Sequence, residues 1–138
     1  MTKPSPDPIS PGAACPCGSG RRYAECCGRW HAGPQHLAAP TAEALMRSRY
    51  SAFALGLGDY LWRTWHPRTR PERVTLDDTV WTSLEILDIV DGSERDQVGV
   101  VEFDAHFRQG RQRGTLHERS RFERRGRRWL YLDGEHRP

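Results

Sequence analysis

All the cysteines of this 138-residue chain, Cys15, Cys17, Cys26 and Cys27, fall within thirteen consecutive positions. The segment runs Cys-Pro-Cys-Gly-Ser-Gly-Arg-Arg-Tyr-Ala-Glu-Cys-Cys-Gly. Two disulfides would suit a secreted chain. Met1–Gly12, however, is rich in proline and polar residues and carries no apolar stretch of the secretory type. A tetrahedral metal site is the better match, because Zn²⁺ takes four thiolates at about 2.3 Å. Cys15-Pro16-Cys17 sets two sulfurs on one side of a turn that proline stiffens. Gly18 and Gly20 let the chain reverse, with positive φ where needed. A helical turn over Arg21–Cys27 then delivers the second pair. His31, four residues beyond Cys27, is a rival fourth ligand. The spacing is not that of a DNA-reading finger. The expectation is one structural Zn²⁺ on Cys15, Cys17, Cys26 and Cys27, with no open position for catalysis. Its loss is expected to unfold residues 15–31 and to leave a 41–138 core standing.

Nothing in the remaining composition points to a membrane. The chain is 36% apolar and 28% charged, with a mean hydropathy of −0.78. No apolar run approaches the roughly 20 residues of a membrane helix, and a cytoplasmic protein is expected. Five Trp, four Tyr and four Phe are enough for one domain with a small appendage. The net charge is only +3, and Lys3 is the sole lysine. Placement says more than the total. Residues 72–104 carry ten acids against Arg73 and Arg95, whereas residues 105–130 carry nine Arg against Glu118 and Glu123. Two hairpins whose solvent faces attract each other would produce this pattern. So would a basic strip for nucleic acid or a ribosome-type partner, formed by Arg108, Arg111, Arg113, Arg124, Arg125, Arg127 and Arg128.

The segments follow in order. Met1–Ala14 reads as a flexible tail, residues 15–31 as the metal module and 32–40, with Gly33, Pro34 and Pro40, as a linker. Thr41 is a good N-cap for a helix over Ala42–Leu57. Leu45, Met46, Arg49, Tyr50, Phe53 and Leu57 share one face of it. Gly56 and Gly58 end it, and a short helix over Asp59–Trp65 closes before Pro67. Strands follow over Trp81–Val90, Gln97–Arg108, Gly114–Glu123 and Arg128–Asp133, with turns at Asp91-Gly92, Gly110 and Arg125-Gly126. In the second strand Val101, Phe103, Ala105 and Phe107 oppose Glu102, Asp104 and His106. In the third, Leu116, Glu118, Ser120 and Phe122 oppose His117, Arg119 and Arg121. In the last, Trp129, Tyr131 and Asp133 oppose Leu130 and Leu132. Helices followed by an antiparallel sheet make an α+β fold.

Cys15–Gly28 resembles the SEC-C motif, a small zinc module also found at the C-terminus of the SecA translocation ATPase. The match includes every metal position, Ser19-Gly20 and the closing Gly28. The remainder resembles the YchJ family, also called UPF0225, through Leu45–Phe53, Asp59-Tyr60-Leu61, Thr64-Trp65-His66-Pro67, Glu118–Phe122 and Trp129–Gly134. Some members carry a second SEC-C motif at the C-terminus; this sequence holds no further cysteine up to Pro138. The resemblance implies an NTF2-like cone over residues 41–138, in which helices cover a concave sheet and leave a pocket.

Candidate pocket residues are Tyr50, Tyr60, Trp65, His66, Trp81, Glu102, His106, Glu118, Ser120, Trp129 and Tyr131. Strand parity points Trp65, Glu118, Trp129 and Tyr131 into one cavity. Glu118, on an apolar face, has the setting of a general acid or base; a structural ion pair with Arg47, Arg49 or a strand arginine is the alternative. His66 suits a helix-end cap, and His106 and His117 are candidate cross-strand neighbours. No Ser/His/Asp order, Walker loop or Rossmann glycine pattern occurs, so no catalytic residue is assigned. Three functions follow: a non-catalytic zinc-containing interaction module docking on a protein or ribonucleoprotein, a pocket that binds or transforms a small molecule, and direct nucleic-acid binding. A monomer or a homodimer serves any of them.

Overall fold

In the computed structural model, which describes residues 9–136, a 3₁₀ turn (Tyr23–Glu25) and helix α1 (Gly28–His31) lead into helices α2 (Ala42–Leu55) and α3 (Gly58–Arg63). Strands β1 (Val80–Asp91), β2 (Val98–Gln109), β3 (Gln112–Arg125) and β4 (Arg128–His136) follow. They form one antiparallel sheet in the order β1-β2-β3-β4. Thr41 caps α2 as expected: its hydroxyl accepts the Ala44 N–H at 3.0 Å. Gly56, in the left-handed region, ends the helix. Most of the expected tail, residues 1–8, lies outside the described residues.

The helices lie on one face of the sheet. Leu45, Met46 and Tyr50 of α2 pack with Val101, Phe103, Ala105, Phe122 and Trp129 of the strands in a buried cluster. Burying this apolar surface is the main stabilising term. On the opposite face the acidic and basic stretches meet across strands. Arg119 Nη1 donates to Glu102 at 2.8 Å and to Asp88 at 3.0 Å, and His117 Nε2 lies 2.8 Å from Glu102. The uneven charge is thus a ladder of attracting solvent faces.

Two expected boundaries shift. Residues 10–14 are not free of the module: Ala14 bridges Arg22, and Tyr23 N–H donates to Ala13 O at 2.7 Å. The stretch read as a linker is packed down, with Leu37 and Ala39 buried. The largest departure is a bulge in β4. Arg121 pairs with Asp133 but Phe122 pairs with Tyr131, so Leu132 is the extra residue. The bulge reverses the parity expected for the end of the chain. Asp133 turns to the outer face and bonds Arg121, while Gly134 and His136 pair with Ser120 and Glu118. The segment after α3 runs along the free edge of β4, with Tyr131 N–H donating to Thr64 O and His66 N–H donating to Tyr131 O, both at 2.8 Å. Among the described residues no helix is long and apolar enough to cross a membrane.

Candidate functional site

The cysteine cluster is assembled by the devices read from the sequence. Gly18 and Gly20 both adopt positive φ, 78° and 85°, and reverse the chain between the two cysteine pairs. All the thiols are buried, and the four sulfurs lie within 4.8 Å of one another. A tetrahedral site with metal–sulfur bonds of about 2.3 Å has edges of about 3.8 Å; Cys17 and Cys26 Sγ are 3.6 Å apart. The thiols cannot ionise independently. Hydrogen bonding from Cys17 and then Cys27 holds Cys15 far below the ordinary thiol value, while bonding to Cys15 and then Cys17 pushes Cys27 up. A divalent cation removes that conflict by accepting charge from all of them. His31 is not a ligand. Its Nδ1 meets the Tyr23 hydroxyl at 2.6 Å and its Nε2 meets Ser48 O at 2.8 Å.

The module is clamped to the back of α2. Arg47 Nη1 donates to Cys17 O at 3.0 Å, His31 reaches Ser48 O, and Cys15 Sγ lies 3.6 Å from Ser51 Oγ. With 3.6 residues per turn, Arg47, Ser48 and Ser51 share one side of the helix, and Met46, Arg49, Tyr50 and Phe53 share the other. That second side faces a cavity of about 310 Å³ between the helices and the sheet. Its walls are Met46, Tyr50, Phe53, Trp65, Trp81, Phe103, Ala105, Leu116, Phe122 and Tyr131, with Arg49, Glu118, Ser120 and His136 as the polar groups.

Several expected pocket residues therefore come together: Tyr50, Trp65, Trp81, Glu118, Ser120 and Tyr131. Others do not. Trp129 shares the inner face but does not line the cavity and lies nearer the β3–β4 turn; its Nε1 donates to Pro40 O at 3.1 Å. Tyr60 lies between α2 and α3, its hydroxyl 2.7 Å from Ser48 Oγ. His66 is buried, with Nδ1 accepting the Arg68 N–H at 3.0 Å. Glu102 and His106 are on the outer face, as strand alternation in β2 demands once Phe103 and Ala105 point inward.

Glu118 pairs with no arginine among the described residues. Its Oε1 lies 2.8 Å from His136 Nε2, and its Oε2 accepts from Ser120 Oγ and, at 3.5 Å, from the Tyr131 hydroxyl. Burial first, and then the Glu118 carboxylate, hold the Tyr131 phenol well above its ordinary value. Arg49 and His136 were not among the expected pocket residues. Arg49 announced itself as the one charge in the apolar stripe of α2; His136 gave no signal, because only the β4 bulge brings it inward.

The arginines do not form one strip. Arg108, Arg111 and Arg113 gather at the β2–β3 turn, while Arg125, Arg127 and Arg128 lie at the β3–β4 turn at the far end of β3. Arg124 bonds Glu94 O and lies over the Trp129 ring.

Comparison with known proteins matches this two-part arrangement. Residues 41–134 match the family model "YchJ, middle NTF2-like domain", and residues 13–29 match the SEC-C motif. A UPF0225 protein of Streptomyces coelicolor is 57% identical over 126 residues, 91% of this chain and 97% of that one. A UPF0225 protein of Bordetella parapertussis is 50% identical over 137 residues, 98% of each. The solution structure of a SEC-C motif containing protein from Rhodopseudomonas palustris superposes with a TM-score of 0.75 at 34% identity, covering 91% of this chain and all of that one. The crystal structure of a SEC-C motif containing protein from Psychrobacter arcticus gives 0.69 at 29% identity, covering 87% and 80%. A SEC-C cysteine cluster joined to an NTF2-like domain, with relatives alike over nearly their whole length, makes this chain a member of the YchJ, or UPF0225, family.

Proposed function

We propose that the chain is a non-catalytic binding protein in which one structural zinc ion, on Cys15, Cys17, Cys26 and Cys27, braces the wall of a small-molecule cavity. The observation that carries this reading is the position of α2: its back holds the cysteine module and its front lines the cavity. Four buried sulfurs suit zinc and leave it coordinatively closed. Among the cavity's polar groups, Glu118 is engaged by Ser120, Tyr131 and His136, which suits holding a ligand better than moving a proton. The test is a ligand-observed NMR screen of small organic molecules against the full-length, zinc-loaded protein. Saturable binders that shift Met46 and Ala105 resonances are expected; a broad screen yielding none would overturn the reading.

Docking on a protein or ribonucleoprotein is a second reading, favoured by β1. It is a sheet edge, and Leu87, Ile89, Val90 and Val98 near the first hairpin are between 40% and 58% exposed. An open strand edge with apolar side chains accepts an added strand. Leu87→Lys with Ile89→Lys should abolish capture of such a partner from lysate at both low and high salt. Direct nucleic-acid binding has less geometric support, because the arginines are divided between two ends of the sheet.

A further inference from the structure

The cavity holds one carboxylate and one guanidinium, and their bonding is unequal. Glu118 is engaged on both oxygens: Oε1 lies 2.8 Å from His136 Nε2, and Oε2 accepts from Ser120 Oγ and the Tyr131 hydroxyl. Arg49 is only 5% exposed, and the acceptors it has are neutral. Its Nη1 donates to Leu61 O at 2.8 Å and to Thr64 Oγ1 at 2.7 Å. A guanidinium has five N–H groups; Nη1 carries two of them, and among the described residues the groups on Nε and Nη2 have no acceptor. Nor does any carboxylate of the described residues form an ion pair with Arg49. Arg49 Cζ lies over the Tyr131 and Trp65 rings, 4.7 Å and 5.3 Å from their centroids. Burial draws its pKa down to about 10, so it stays charged at neutral pH. Glu118 acts on this cation only through space, from elsewhere in the cavity wall, and a largely buried cation without a directly paired anion favours an acceptor for its open N–H groups.

Resting on the cavity reading above, we propose that the ligand is a small monocarboxylate with a flat, aromatic body. Its carboxylate pairs with the free edge of Arg49, and its ring lies among Phe53, Trp81, Phe103 and Leu116. The fork of a guanidinium matches the two oxygens of a carboxylate. A phosphate dianion would bring a second charge toward Glu118 with no second cation to meet it. An amine would find Glu118 already supplied with donors and Arg49 repelling it. A volume of about 310 Å³ is at the small end of ligand sites and suits one ring or a fused pair.

The test uses the full-length, zinc-loaded protein and three probes of one shape: phenylacetate, phenylacetamide and phenethylamine. Titrations are followed by ¹H–¹⁵N NMR. Phenylacetate is expected to bind saturably, at least tenfold tighter than the amide, with shifts centred on Arg49, Ala105 and Ser120. Arg49→Lys should weaken phenylacetate at least tenfold. Arg49→Met should remove the preference for acid over amide, with folding verified from the same spectra. If either variant fails to fold, the comparison of acid and amide on the unaltered protein decides. Amide or amine binding in the cavity as tightly as the acid would overturn the anion assignment and leave the cavity reading intact. Absence of cavity shifts with all three probes would overturn both. Phenylacetate shifts confined to the arginines at the two turns would overturn the assignment as well.

Discussion

Glu118 and His136 face each other across the inner surface of the sheet, Oε1 to Nε2 at 2.8 Å, although the alternation of β4 before its bulge would have placed His136 outside. The bulge at Leu132 makes this pair, and it also places Gly134 directly beneath the Glu118 side chain. A Cβ at Gly134 would lie 2.6 Å from Glu118 Cδ.

Gly134→Ala is therefore expected to displace the Glu118 carboxylate. Glu118 is buried and held by Ser120, Tyr131 and His136, so it has nowhere to go without breaking those bonds. The cost should be about 1–3 kcal/mol, as for overpacking elsewhere. Urea denaturation measures it, and the His136 imidazole resonances should move in the same variant.

Metal loss should reach further than the module itself. Packing argues against an untouched 41–138 core: the four cysteines and Trp30 belong to the same buried cluster as Leu45 and Val101. Cys26→Ser, or chelation, should lower the melting temperature of the whole chain in one transition and expose Trp fluorescence. Structural zinc in short motifs is worth roughly 10–16 kcal/mol of apparent binding energy at neutral pH, so a large shift is expected. A calorimetric scan showing an unchanged core transition after complete metal removal would contradict this coupling.

The outward turn of Asp133 has a signature in pH. Hydrogen bonding from Arg121 is the largest effect on Asp133 and holds its carboxyl below the ordinary value of 3.8. A carboxyl depressed in the folded state adds stability above its unfolded pKa, and that stability is lost as pH falls through the folded value. Arg121→Ala should return the Asp133 titration, followed by NMR, toward 3.8 and remove this contribution at pH values above it, with little effect once both forms are protonated at lower pH. A titration that does not move would place Asp133 away from Arg121 and so dispute the bulge.

The arginines at the β3–β4 turn should separate in stability measurements. Arg124 lies over Trp129 and bonds Glu94 O, so Arg124→Ala loses packing as well as charge, at about 1 kcal/mol. Arg127→Ala, at the exposed turn, should stay within about 0.5 kcal/mol. Chemical denaturation of the two variants side by side checks the difference. Equal costs would show that Arg124 is a surface charge like its neighbours.

What could be read from the order of residues was whatever local chemistry controls. The metal site needs Cys15, Cys17, Cys26 and Cys27 within one short segment with glycines at the reversal, and all of that is local. The start of α2 at Thr41 and the inner faces of β2 and β3 follow from side-chain capping and a period of two. Arg49 was visible too, as the one charge in an apolar helical stripe, but its meaning was not. Whether it paired with Glu118 depended on distances between α2 and β3, which no sequence spacing states. The end of β4 was lost for a sharper reason. One extra residue at Leu132 inverts every later side chain, so alternation counted forward from Trp129 sent Asp133 inward and left His136 outside. The arginine strip failed because nearness in sequence is not nearness along an antiparallel sheet: the two turns that flank β3 lie a strand's length apart. Local bonding set the metal module and the strand faces. Tertiary packing alone decided which charges share the cavity, and which of them lacks a partner.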